Sequence, residues 1–266
     1  SVLDNSIAGY DSVAMRYVHF LPMIMGGLAL PFYYKLIHNR QHSVIWKDIQ
    51  AKTFVFAIIF GGLVLSLFLC GSETEAPFRE GFFQYISGLT GTGWQTTEIY
   101  QWPEEAIIFI VCAGLIIGGA AGSTTAGIKL IRVLVLAKGI WWQINKNFML
   151  KGVVQTVRFN GHSYQEKNMH KWIAEVAIFS FLYLLLILLG TLVTISFCDE
   201  KYSMAHAFFE SASAQCVGLS TGLTSPDMAT PIEWFYIFQM WASRLEIFPV
   251  LALLRTLFLG TKMIRI

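Results

Sequence analysis

Five stretches of this sequence are apolar over the thickness of a lipid bilayer, and no other property constrains the fold as much. A hydrocarbon core of about 30 Å takes roughly 20 residues of helix. Lipid offers no partner to a bare peptide group, so such stretches fold as helices unless a closed barrel satisfies them. They run about Val13–Ile37, Thr53–Leu69, Pro103–Ala137, Trp172–Phe197 and Pro231–Leu259. The third is too long for one straight span. Composition agrees: 55% of the 266 residues are hydrophobic and 14% charged, against about 25% charged in a soluble domain. The net charge of +2 provides no field for nucleic acid. Cys70, Cys112, Cys198 and Cys216 fall in no metal-binding spacing. Cys70 and Cys198 sit at the outer ends of two spans, where free thiols are expected over a disulfide.

Two shorter apolar stretches, about Arg79–Leu89 and Met204–Ala214, give way to Gly, Thr and Ser at half the length of a span. They read as re-entrant half-helices, since irregular backbone at membrane depth is tolerated only where protein buries it or water lines it. Lys35, Arg40, Lys47 and Lys52 surround one connection. Lys129, Arg132, Lys138, Lys146, Lys151, Arg158, Lys167 and Lys171 fill or flank another, and Arg255, Lys262 and Arg265 close the chain. The alternate connections hold Glu73, Glu75, Glu80, Glu98, Glu104 and Glu105, then Asp199, Glu200, Glu210, Asp227 and Glu233. This bias puts the basic connections in the cytoplasm, so both half-helices enter from outside. The acids are expected in solvated outer loops, raising the local cation concentration modestly.

The half-helices belong to an internal repeat, a feature that fixes architecture before others do. Ser66–Cys70, acids, Phe82–Phe83–Gln84, a Gly/Thr loop and Trp102–Pro103–Glu104 run in the same order as Ser196–Cys198, acids, Phe208–Phe209–Glu210, a Gly/Ser/Thr loop and Pro231–Ile232–Glu233. Each copy is span, half-helix, loop, span. The stretch Val13–Ile37, after polar Ser1–Ser12, fits the closing span of another copy. The expected fold is an all-α polytopic membrane protein of helix–pore-loop–helix units around a central ion pore.

Cation selectivity requires a substitute for the hydration shell, which backbone carbonyls from several loops around an axis provide. Gly permits the backbone angles that aim carbonyls inward, and the C-terminal end of a half-helix adds partial negative charge. Thr90, Gly91, Thr92 and Gly93, and Gln215, Cys216, Val217 and Gly218, carry this chemistry and are the candidate ion-binding residues. The third apolar stretch is interrupted by Gly118, Gly119, Ala120, Ala121, Gly122, Ser123, Thr124, Thr125, Ala126 and Gly127. Two glycines would read as a packing seam; ten small residues read as an unwound intramembrane loop placed to obstruct the pore. Lys129, just beyond, is expected to snorkel to the interface. Arg244 falls in the middle of the fifth stretch, where a bare charge is costly. It is either half of a structural ion pair or a cation-repelling charge facing the pore. Glu175 is expected to reach the interface at the inner end of its span.

The run Gly118-Gly-Ala-Ala-Gly-Ser-Thr-Thr-Ala-Gly-Ile-Lys-Leu-Ile-Arg132 resembles the GG-x-AGST-x-GGIK-x-IR signature of the Trk/Ktr/HKT superfamily of potassium transporters, in its TrkH-type subunit. Phe83-Gln-Tyr-Ile-Ser87, Thr90-Gly-Thr-Gly93 and Gln101-Trp-Pro103 resemble that family's third pore loop. Gly218 stands where the fourth loop has its filter glycine, and Arg244-Leu-Glu-Ile-Phe248 resembles the family's GRLEIF. The resemblance covers essentially the whole chain. It implies four repeats, each giving one glycine-containing loop to a potassium filter, with transport either passive or by symport. It also implies a homodimer in the cytoplasmic membrane and a cytosolic nucleotide-binding regulatory subunit of the TrkA type, which the basic Lys138–Lys171 connection could meet. Potassium is then the substrate at the filter, with no further cofactor and no catalytic residue.

On this reading residues 1–37 are the post-filter segment and closing helix of the second repeat, and 38–137 the third repeat with its broken closing helix. Residues 138–170 are a basic cytoplasmic connection and 171–266 the fourth repeat. Residue 1 is then expected just after the second filter. The chain departs from the family at Gly91, where Thr is common, at Trp94 for Phe, at Gln215–Cys216 for two Asn, and at Ala242–Ser243 before Arg244. These positions bear on potassium against sodium, and a sodium-coupled or sodium-selective relative is the alternative within transport. A non-transporting structural or receptor subunit is the alternative outside it. An intramembrane enzyme would need a constellation of His, Asp, Glu or Ser in the spans, and His19 and Glu175 form none.

Overall fold

The computed structural model describes residues 6–7, 9–10, 13–40, 42–72, 74–146, 148, 156–159, 162–244 and 247–259. Glu73, Lys151, Leu245, Glu246, Lys262, Arg265 and most of Ser1–Ser12 lie outside the described residues.

The first apolar stretch, expected as one span, folds as two helices. α1 (Val13–Gly27) and α2 (Leu30–Ile37) meet at 100°. Gly26 and Gly27 weaken the end of α1. Ala29 is extended, and Pro31 restarts the chain as a helix in its first turn, where the missing N–H is harmless. The peptide groups freed by the break find partners in a distant loop. Ala120 N donates to Gly27 O at 2.9 Å, and Leu30 N donates to Gly122 O at 3.2 Å.

α3 (Val44–Lys47) is a single turn. α4 (Ile49–Leu69) is capped by Asp48, whose carboxylate accepts from Gln50 N at 2.8 Å and Ala51 N at 3.2 Å. Its 21 residues reach about 31 Å, one bilayer core. α5 (Pro77–Leu89), with 13 residues, reaches only about 20 Å and is the first half-helix. Gly61 and Gly62 of α4 leave room for the rings of Tyr85 and Phe82, so the two helices pack closely. After a 3-10 turn at Ile99–Gln101, α6 (Glu104–Ile110) runs into a π-helical turn, Val111–Leu115. Tyr85 Oη donates to the Ala113 carbonyl in that turn at 2.9 Å. The chain then unwinds through residues 116–129 and resumes as α7 (Leu130–Lys146). The third stretch is therefore broken where the small residues lie.

The basic connection carries more regular structure than expected. β1 (Thr156–Phe159) pairs antiparallel with β2 (His162–Gln165), Thr156 opposite Gln165 and Phe159 opposite His162. The Asn160–Gly161 dipeptide between two short runs is the sequence signal for such a ribbon. α8 (Glu166–Phe197) starts ahead of the apolar stretch, and its 32 residues reach about 48 Å, well past a bilayer core. Lys146 Nζ lies 2.6 Å from Glu166 Oε1, joining the end of α7 to the start of α8. Glu175 is exposed and 3.9 Å from Lys171.

α9 (Met204–Cys216) is the second half-helix, again 13 residues, capped reciprocally by Ser203 and His206. The fifth stretch divides into α10 (Thr230–Arg244) and α11 (Ile247–Leu259), with axes 113° apart. Arg244 thus ends a helix instead of lying mid-span. Among the described residues α4 and α8 are each long and apolar enough to cross a membrane, and the bent pairs α1–α2 and α10–α11 bring the number to four if each is one span. Phe56, Ile59 and Phe60 of α4 and Phe181, Leu188 and Leu192 of α8 point outward, a surface suited to lipid. Phe83 and Phe209, the matching residues of the two repeats, are fully buried in one shared core. All four cysteines are free thiols.

Candidate functional site

The two half-helices end in loops that meet backbone to backbone. Thr90 closes α5, its Oγ1 donating to Ile86 O at 2.7 Å and sharing a 2.7 Å hydrogen bond with Thr92 Oγ1. Thr92 N donates to Ser87 O at 3.0 Å. Gly91 and Gly93 then take φ of 64° and 76°, a region that L side chains avoid. In the other unit Gln215 and Cys216 are the last residues of α9, Val217 leaves the helix, and Gly218 has φ 90°. A Cβ at Gly93 would overlap the Val217 carbonyl oxygen, and one at Gly91 would lie 3.1 Å from the Cys216 carbonyl oxygen.

The structure therefore brings Gly91, Gly93, Cys216 and Val217 together, with Thr92 and Gly218 alongside on partly open surface. Thr90 and Gln215 are buried behind the loops, at 3% and 2% exposure. The Gln215 carbonyl is taken by Ser243 Oγ of α10, and the Cys216 thiol turns back to Leu115 O at 2.9 Å.

Each loop rests on a buried acid. Glu80 and Glu210, expected in solvated outer loops, are 3% and 2% exposed. A carboxylate is tolerated at that burial only with converging donors, and both have them. Glu80 accepts from Thr96 Oγ1 at 2.5 Å, from Arg16 of α1 at 2.5 Å and from Arg79 at 3.1 Å. Glu210 Oε1 accepts from Thr221 N at 2.5 Å, Thr221 Oγ1 at 2.8 Å and Ser220 Oγ at 2.7 Å. Gln84, the repeat partner of Glu210, also reaches its own loop but with the opposite polarity, its Nε2 donating to Thr96 Oγ1 at 3.1 Å. The signal for this was the shared Phe–Phe–Gln/Glu phrase, which marks one helix face reaching forward to its own loop. Gln95 carries no motif in the sequence. Its side chain bridges from the first loop to the Ser220 backbone of the second.

Residues 116–129 form a closed loop beneath these two. It is pinched at the base by a parallel bridge between Ile117 and Ile128, with Gly118 N donating to Ile128 O at 3.0 Å and Ile128 N to Ile116 O at 2.9 Å. Gly122 and Gly127 both take φ of 84°. Thr125 Oγ1 accepts from Gly119 N at 2.9 Å and pairs with Ser123 Oγ at 2.7 Å, bracing the interior. Lys129 does not reach away to an interface as expected. Its Nζ folds back onto the Thr125 carbonyl, with Thr125 Oγ1 at 3.3 Å. The reason is that the unwound loop leaves carbonyls that the helix no longer uses. Arg244 approaches from α10 and donates to Thr124 O at 3.2 Å. Loop, Lys129, Phe179, Tyr183 and Arg244 line a cavity of about 210 Å³.

Half-helices between full spans, with glycine loops apposed at their C-terminal ends, define a helical membrane protein of the pore-loop class. The TrkH family, cation transport proteins, matches over residues 1–260, and the chain belongs to that family. An uncharacterized cation transporter of Methanocaldococcus jannaschii is 27% identical over 255 residues, covering 95% of this chain and 50% of the relative. The Trk system potassium uptake protein TrkH of Escherichia coli K12 is 26% identical over 260 residues, covering 95% of this chain and 52% of that protein. The crystal structure of the potassium transporter TrkH from Vibrio parahaemolyticus superposes with a TM-score of 0.78 at 24% identity, over 96% of this chain and 55% of that one. The chain thus spans about half the length of the relatives it matches.

Proposed function

We propose that this chain forms part of a potassium-uptake pathway across the cytoplasmic membrane. Thr90–Gly93 and Gln215–Gly218 supply two sectors of a four-loop selectivity filter, residues 118–127 are its gate, and Arg244 is a positive charge beside the path. The observation that carries this reading is the apposition of Gly91 and Gly93 with the Cys216 and Val217 carbonyls, each loop following a 13-residue half-helix. Carbonyls held this way replace water around a cation, and the helix ends add partial negative charge. The potassium named in the E. coli and Vibrio relatives supports the choice of ion. A homodimer and a nucleotide-binding regulatory subunit of the TrkA type, meeting the basic ends of α7 and α8, complete the proposal.

The test is rubidium uptake by the intact protein in liposomes, with Gly93→Ser and Gly218→Ser. Each is expected to lose uptake about tenfold or to lose discrimination against sodium. Unchanged uptake and selectivity in both variants would overturn the filter assignment. A wild-type preference for sodium would replace potassium as the substrate.

A further inference from the structure

We propose that Gln95 is a positioning residue that sets the spacing between the two glycine loops, and through it the discrimination among monovalent cations. The proposal rests on the pore reading above.

A glutamine amide has the same donor and acceptor arrangement as a peptide group. Gln95 uses it on the backbone of a residue 125 positions away: Nε2 donates to Ser220 O at 3.0 Å, and Oε1 accepts from Ser220 N at 3.2 Å. One hydrogen bond would leave the loops free to pivot; two to the same residue fix both separation and rotation. The second amide proton goes to Thr97 O at 2.9 Å, which anchors the side chain to its own loop. The Gln95 backbone is also engaged, since Ile7 N donates to Gln95 O at 3.1 Å and Gln95 N donates to Ser6 Oγ at 3.2 Å. Three stretches far apart in the sequence are thus joined at one residue.

The link continues inward. Ser220 Oγ donates to the buried Glu210 at 2.7 Å, so the bridge ends on the half-helix behind the second loop. Gln95 is two positions from Gly93, and Ser220 two from Gly218. Between them Gly93 already touches the Val217 carbonyl with no room for a Cβ. A change in the Gln95–Ser220 distance is therefore passed on to those carbonyls. Asn at this position keeps the amide but is one methylene too short to span the gap. Glu keeps an acceptor for Ser220 N but loses both donors and sets a carboxylate against two carbonyls. Leu keeps the bulk and makes no hydrogen bond.

The experiment measures rubidium against sodium uptake by the intact protein in liposomes for wild type, Gln95→Leu, Gln95→Asn and Gln95→Glu, with thermal melting of each. All three variants are expected to lower the rubidium-to-sodium ratio about fivefold or more at melting temperatures near wild type. An unchanged ratio in the variants that fold, including reduced total uptake at the wild-type ratio, means that Gln95 only supports the fold and overturns the proposal. Should Leu not fold, Asn and Glu, which keep the polarity, decide by the same criterion. A wild type with no rubidium preference would instead remove the pore reading, whereas a selective wild type with unchanged variants removes this inference alone.

Discussion

A Cβ at Gly93 would overlap the Val217 carbonyl, whereas one at Gly218 meets no atom within 4 Å. Both residues have positive φ, 76° and 90°, so one glycine is needed for space and conformation together and the other for conformation alone. Asn tolerates positive φ better than other non-glycine residues. Gly218→Asn is therefore expected to keep a measurable part of wild-type uptake, and Gly218→Val to keep none. Gly93→Asn is expected to be as inactive as Gly93→Val, because the steric conflict remains. Rubidium uptake by the four variants at matched density checks this; equal loss in Gly218→Asn and Gly218→Val would mean that side-chain size, not backbone conformation, governs the second loop.

The half-helices and their loops act as units because a buried polar side chain ties each loop to its own helix. In the first unit that side chain is Gln84, assisted by Glu80; in the second it is Glu210. The three shortest contacts of Glu210 all go to the single oxygen Oε1, so an amide oxygen at that place can accept the same three hydrogen bonds. Glu210→Gln is expected to change stability by less than about 1 kcal/mol. Glu210→Ala, which strands three donors in a buried site, is expected to cost about 3 kcal/mol. Thermal unfolding of the detergent-solubilised protein measures both, and equal destabilisation would show that the negative charge itself is required. Ser220 belongs to this unit through its hydroxyl and to the Gln95 bridge through its backbone, so the two loops are coupled through one residue.

On the scale of the molecule, the 116–129 loop is the meeting point of the α1–α2 break, α4 and α10. It pairs with the α1–α2 break through Gly27 and Leu30, with Gln50 of α4 through Ala121 N at 2.8 Å, and with Arg244 of α10 through Thr124 O. Its base is closed independently by the Gly118–Ile128 and Ile116–Ile128 hydrogen bonds, and Gly118 and Ala126 are already in backbone contact. Excision of residues 120–125 should therefore leave the base intact. If the loop obstructs the path, this deletion raises cation flux per folded molecule several-fold, read as rubidium uptake into liposomes. Equal or lower flux at normal yield would count against a gate and for a packing role.

What the sequence determined by itself was local. Twenty apolar residues in a row, a half-length apolar run, and a Gly/Thr loop each have their meaning within one element. The half-helices, the broken third stretch and the glycines at positive φ were therefore legible from residue order alone. The break in Val13–Ile37 was less so, because Gly26–Gly27 and Pro31 only weaken a helix. The bend stands because Ala120 and Gly122 supply the partners that its open peptide groups need. Glu80 and Glu210 look like solvated acids in sequence, since apart from the adjacent Arg79 the donors that permit their burial lie 10 to 64 positions away. Gln95 carried no signal at all, its partner lying 125 positions away. In sequence Lys129 reads as an interface residue, but the carbonyl it meets is open to it only because the loop has unwound. Tertiary structure decided these positions because the free energy of a buried polar group depends on which partners converge on it, and convergence is not a property of sequence neighbours.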